Sequence, residues 1–158
     1  MPKWFNIDIK TSFSDCNSMK IVHSSKYFIW FEISRFQIAS MIGINNNDNG
    51  NNNDNGNNND NGNNNDDNND WASILFPVIE AECKYLRPIE QNVDIVVKTT
   101  LLKPIVPKLV FEHIVCDKKT SFEYAKARTV VAIVSKKKGL ILTLNNEFKK
   151  IINDYLES

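Results

Sequence analysis

Residues 5–13 read FNIDIKTSF, with Phe5, Ile7, Ile9 and Phe13 on one side of an alternating pattern and Asn6, Asp8 and Lys10 on the other. That period of two predicts a half-buried β-strand. A polar link over 14–25 follows, and Ser24 or Ser25 is placed to cap the next element. From Lys26 to Ile42 the chain is apolar almost all round, broken by Glu32, Ser34, Arg35, Gln37 and Ser40. A helix of that composition is expected to be covered on most sides, and Gly43 supplies its stop.

Farther along, four segments rich in Val, Ile, Phe, Thr and Tyr run over 74–86, 92–103, 107–116 and 121–135, with a short fifth at 139–144. Pro88, Pro104 and Pro107 fall at the joins, where a missing ladder donor does little harm. Consecutive strands with short joins predict antiparallel hairpins. In the tail, Phe148, Ile151, Ile152 and Tyr155 recur at helical spacing, so a short amphipathic helix is expected there. Strand, long apolar helix, then strands: one antiparallel sheet of about five to six strands wrapped around one long central helix satisfies both patterns. The fold class is α+β.

Composition changes this picture at one place. Residues 45–70 consist of 17 Asn, six Asp and three Gly, and 45–62 are three copies of NNNDNG. A solenoid turn needs an apolar side chain per repeat and an EF-hand loop needs a closing Glu; the tract has neither. It reads as a disordered insertion in a surface loop, so 1–158 is expected to be a single domain carrying 45–70 as an insertion. Without the tract, 19 Lys and Arg face 13 Asp and Glu, a net charge of +6 against zero for the whole chain. Cys16, Cys83 and Cys116 make an odd count without a CxxC spacing, which reads as reduced thiols and a cytoplasmic setting. With only His23 and His113 as histidines, no metal site is expected. No segment approaches the ~20 apolar residues of a membrane span. No apolar run opens the chain as a secretory signal would.

Several strings carry a resemblance. Phe13-Ser14-Asp15-Cys16-Asn17, then Ile21-Val22, then Tyr27-Phe28-Ile29-Trp30-Phe31-Glu32 with Arg35 resemble the hotdog-fold acyl-CoA thioesterases, in particular the 4-hydroxybenzoyl-CoA thioesterase-like branch. Glu82 to Pro88 and Leu109 to Glu112 resemble later strands of that family. The resemblance implies a thioester hydrolase acting on an acyl-CoA. It implies no cofactor beyond the coenzyme A of the substrate, and a homodimer or tetramer. Neither nucleic acid nor a membrane is expected as a partner: the chain has no basic–aromatic binding motif.

The resemblance also distributes roles. The family's attacking carboxylate falls on Asn17, a carboxamide that can neither take a proton nor attack. Asp15, two residues earlier, and His23 are then the candidate bases, and the other reading of Asp15 is a loop or cap hydrogen bond. The backbone amides of Ser24 and Ser25, where the long helix opens, match the family's carbonyl-polarising element, which a helix N-terminus suits. Tyr27, Glu32 and Arg87 are candidate substrate-binding residues; the alternative for Glu32 is a structural pair with Arg35, three positions along one helical face. The positive balance suits the phosphates of coenzyme A, with Arg87, Lys103, Lys108, Arg128 and Lys136-Lys137-Lys138 as candidate contacts. Asn17 keeps a second function open: an acyl-CoA or acyl carrier protein binder that does not cleave.

Overall fold

The structure, a computed structural model, describes residues 1–43, 74–141 and 143–158; the tract at 45–70 lies outside them. Strand β1 (Trp4–Lys10) is followed by a 3-10 turn (Phe13–Asp15) and helix α1 (Ser24–Ile42). Then come β2 (Ile74–Leu75), β3 (Val78–Tyr85), β4 (Asp94–Leu101), β5 (Lys108–Asp117), β6 (Glu123–Ala132), β7 (Val134–Ser135), β8 (Gly139–Leu140) and helix α2 (Asn146–Glu157). Five strands form one antiparallel sheet in the order β1-β4-β5-β6-β3, and β2, β7 and β8 form a small second one. This is the hotdog architecture. No helix among the described residues is long and apolar enough to cross a membrane.

Strand β1 keeps the expected alternation, with Phe5, Ile7 and Ile9 half-buried and their neighbours exposed. It ends at Lys10, however, and Phe13 belongs to the 3-10 turn and is 81% exposed. The pattern breaks because Ser12 starts a capping box. Its backbone N–H donates to Asp15 Oδ2 at 2.8 Å, a local bond that competes with strand geometry. The segment expected at 74–86 is two strands, divided around Phe76 and Pro77, and that at 121–135 is likewise split after Ala132. The tail helix lies where its period put it, burying Phe148, Ile152 and Tyr155.

Helix α1 starts two residues earlier than expected, and its N-cap is His23 rather than Ser24 or Ser25. It is also not covered on most sides. Tyr27, Trp30, Phe31, Ser34 and Ile38 are buried, while Phe28, Ile29, Ile33, Phe36 and Met41 are exposed. One helix on one sheet has one covered side; the rest of an all-round apolar helix must await other surfaces. At its C-terminus Gly43 takes φ +90°, and its N–H closes the helix on Ala39 and Ser40.

Two apolar clusters hold the helices to the sheet. Trp30 and Phe31 of α1 pack with Ile95, Val97 and Val115, while Ile38 packs with Leu101, Phe111 and α2 residues Phe148 and Ile152. Between them lies one buried polar layer. Thr99 Oγ1 meets His113 Nδ1 at 2.8 Å, and His113 Nε2 meets Thr129 Oγ1 at 2.9 Å. Arg35 Nη1 donates to that same Thr129 oxygen at 3.4 Å, and Phe31 stacks on the imidazole at 4.4 Å. Burial, and then the nearby Arg35 charge, push the His113 pKa down to about 3, so the imidazole is neutral. Each of its nitrogens has a hydroxyl partner, which is how a buried polar ring avoids a desolvation cost.

Candidate active site

The site is built where the loop after the 3-10 turn meets the first turn of α1. Residues 16–22 fold back on themselves: Cys16 and Val22 bridge, and Asn17 N–H donates to Ile21 O at 2.9 Å. Lys20 turns this tight loop with φ +62°. Val22 N–H donates to Ile89 O at 2.7 Å, fastening the loop beside the chain that leaves β3. A cavity of about 450 Å³ opens there, lined by Asn17, Val22, His23, Ser24, Tyr27, Tyr85 and Arg87 among others. Five residues singled out from sequence therefore share one cavity: Asn17, His23, Ser24, Tyr27 and Arg87.

Three do not join them. Asp15 does not line the cavity. Its carboxylate accepts from the Ser12 N–H and lies 3.5 Å from Lys26 Nζ, while its carbonyl accepts from His23 N–H. That is the loop-and-cap role, and it anchors both ends of the 16–22 loop. The Ser25 N–H is engaged too, donating to His23 Nδ1 at 3.2 Å, with the Ser25 hydroxyl 2.9 Å from the same nitrogen. Ser24, the first helical residue, is the one of the two serines that lines the cavity. Glu32 lies two turns along α1, on a second cavity of about 160 Å³ that it shares with Arg35. Burial pulls the Arg35 pKa down and the Glu32 charge pulls it back.

Asn17 is held rather than free: its Oδ1 accepts from Met19 N–H at 2.9 Å, closing an Asx turn. The side-chain amide N–H groups remain as donors. Arg87 lies with its guanidinium 4.2 Å over the Phe122 ring, a stacking that keeps a cation at the rim. Tyr27 packs edge-on against Tyr85 at 4.9 Å. Burial first, with Cys83 next, pushes both phenols up to about 12, so both are protonated donors.

Sequence reasoning missed Tyr85. Its Oη donates to the Ser24 carbonyl at 3.2 Å, tying the end of β3 to the start of α1. The signal was its place two residues before Arg87, in a string read only as a strand-and-turn. It also missed the Thr99–His113–Thr129–Arg35 layer, because residues from three strands and a helix meet only when the sheet registers.

The family model of the thioesterase-like superfamily matches residues 11–152, and the chain belongs to that superfamily. Among curated proteins, none matches. Solved structures share the fold. A 1,4-dihydroxy-2-naphthoyl-CoA thioesterase from Synechocystis superposes with a TM-score of 0.69 at 9% identity, covering 96% of this chain and 97% of that one. A DHNA-CoA thioesterase from Staphylococcus aureus gives 0.71 at 16% identity, over 98% and 89%. A thioesterase from Thermus thermophilus, complexed with coenzyme A and Zn, gives 0.66 at 17% identity, over 97% and 95%.

Proposed function

We propose that the protein hydrolyses the thioester of an acyl-CoA in the cytoplasm. The observation that carries this reading is the opening of the α1 N-terminus, at Ser24, onto a cavity that also holds Asn17 and His23. The thioester carbonyl lies with its oxygen toward the Ser24 amide, where the positive end of the helix dipole meets the charge that develops on oxygen. An Asn17 amide N–H, fixed by the Asx turn, orients the attacking water. His23 takes the water proton at the nitrogen it now offers to Ser25, since both tyrosines in the cavity stay protonated. Attack forms a tetrahedral centre; as the C–S bond breaks, His23 gives its proton to the leaving sulfur, and the free acid and coenzyme A leave. Arg87 at the rim meets the coenzyme phosphates.

The active form is a homodimer. Strand β3 is a sheet edge with eight residues almost wholly exposed, and the outer side of α1 carries exposed Phe28, Ile29, Ile33 and Phe36. Open edges and apolar patches of this kind pair.

One observation favours a second reading, an acyl-CoA or acyl carrier protein binder without turnover. Asn17 stands in the cavity where the family resemblance puts a carboxylate, and its oxygen is spent on Met19. Released thiol, followed with purified protein and a panel of acyl-CoAs, separates the two. Turnover abolished by His23→Ala supports hydrolysis, whereas saturable binding with no thiol from any acyl-CoA leaves the binder.

A further inference from the structure

Two turns at one end of the sheet have no place in the proposed chemistry. Leu102-Lys103-Pro104-Ile105-Val106-Pro107 joins β4 to β5, which opens on Lys108, and Lys136-Lys137-Lys138 joins β7 to β8. Lys108 pairs with Ala132, the last residue of β6. Tyr85, which lines the 450 Å³ cavity, pairs with Ala125 toward the other end of that strand. From Ala125 to Ala132 is about 23 Å along β6. Lys103, Lys108 and Lys136-Lys137-Lys138 are candidates in sequence for the coenzyme phosphates. The fold puts them at the end of the sheet away from Arg87 and the α1 N-terminus, so their charge suits another partner.

The two turns are neighbours. Lys108 lies opposite Ala132, and chain reach keeps Lys136 within about 14 Å of that same residue. Each turn is held in shape. Leu102 N–H donates to Val110 O at 2.9 Å and Lys108 N–H to Val106 O at 2.6 Å, while Pro104 and Pro107 fix the backbone on either side of the tip. In the second turn, Ser135 Oγ accepts from the N–H groups of Lys137 and Lys138. What these turns present is aliphatic and basic. Ile105 is 97% exposed, and Val106 and Leu140 are exposed as well. Around them stand Lys103, Lys108, Lys136, Lys137 and Lys138, and neither turn contains Asp or Glu.

We propose that the two turns together dock the protein on an anionic phospholipid bilayer, with Ile105, Val106 and Leu140 entering the headgroup layer and the lysines lying among the lipid phosphates. Aliphatic side chains gain by leaving water at the boundary of the acyl chains. A nucleic acid would be met by aromatic or arginine side chains, and the turns carry neither. Lysine suits the bilayer, because its stem lies along apolar surface while its ammonium stays with water and phosphate. The expectation that no membrane is a partner rests on the missing span, and docking at the surface needs no span. In this orientation the cavity at the α1 N-terminus stands at the end farther from the bilayer, open to a water-soluble thioester. The inference stands apart from hydrolysis, since it uses none of the cavity residues.

The test sediments the full chain with phosphatidylcholine vesicles and with vesicles of equimolar phosphatidylcholine and phosphatidylserine. The expected result is binding to the mixed vesicles alone, weakening as salt is raised. Each lysine at an anionic surface strengthens binding roughly fivefold, so the triple change Lys136→Gln, Lys137→Gln and Lys138→Gln should weaken it roughly a hundredfold. Ile105→Asp, which removes an inserted side chain and adds a repelled charge, should weaken it at least about tenfold. Lys118→Gln with Lys119→Gln, at the cavity end of the sheet, should leave it within about twofold, since that end lies beyond the screening length. All these positions are exposed, and a thermal melt of each variant verifies folding. No binding to the mixed vesicles overturns the proposal. So does unchanged binding by folded Ile105→Asp, or an equal loss in both lysine variants, which would make the attraction one of charge without place. Binding of duplex DNA in place of vesicles overturns it too. The same holds if the triple lysine variant loses acyl-CoA affinity and keeps its vesicle binding, because the lysines then serve the coenzyme.

Discussion

The phenol of Tyr85 donates to the carbonyl oxygen of Ser24 across 3.2 Å, so the last residue of β3 holds the first residue of α1. A single neutral hydrogen bond contributes about 0.5–1.5 kcal/mol, but this one fixes the orientation of the helix end that the proposed chemistry uses. Tyr85→Phe should cost stability in that range, read from urea unfolding. It should lower kcat more than it raises KM, because a misaligned amide is felt most when charge develops on the substrate oxygen. A Tyr85→Phe enzyme with unchanged kcat would remove Tyr85 from the positioning of α1.

Asn17→Asp replaces a carboxamide by a carboxylate at nearly constant volume, and the new oxygen can still accept from Met19 N–H, so the loop should persist. A well-placed general base contributes about 10²–10⁴-fold. Thiol release should rise by a factor within that span. If it falls instead, the carboxylate is not the missing part, and the proton is already taken elsewhere.

Trp30 is 5% exposed and packs in the cluster with Tyr27, Phe31 and Val97. Trp30→Ala should destabilise by about 3–5 kcal/mol. By contrast Phe36, 57% exposed, should cost little stability on truncation. Denaturant midpoints of the two variants should therefore differ clearly.

His113 gives the stability its pH dependence. Its folded pKa, about 3, lies below the ordinary histidine value of about 6.5. Between those values the unfolded chain binds a proton that the folded chain refuses. Stability from this group is full above about pH 6.5 and falls by up to about 1.4 kcal/mol for each pH unit below it. Melting followed from pH 7 to pH 5 should show this decline, and His113→Gln, which keeps polar groups between Thr99 and Thr129, should start less stable but decline less steeply.

We further propose that 1–158 is one domain with 45–70 as an insertion. Replacing that tract by a short Gly-Ser link should leave stability within about 1 kcal/mol, because each doubling of loop length costs only about 0.6 kcal/mol. Thiol release and the melting curve of the shortened chain measure this directly.

Local pattern alone was enough for β1 to Lys10, for α1 and its Gly43 stop, for β4, β5 and the buried face of α2. In each, side-chain period and stop residues act within a few neighbours along the chain. The strings around Asp15, Asn17 and Glu32 further marked the family. What sequence could not decide was which neighbours each side chain would meet. Asp15 reads in sequence as a candidate base or a loop cap, and only the fold gives it the Ser12 amide and Lys26 as partners. His23 reads in sequence as a candidate base, and only the fold shows that it also caps α1. The exposed side of α1 was invisible, since an all-round apolar helix states only that it needs covering, not what covers it. His113 stood alone in the sequence and gained Thr99, Thr129 and Arg35 only through β4–β5–β6 registry. Periodicity fixes which face a residue takes; partners across the sheet depend on long-range registry, which no short stretch of chain contains.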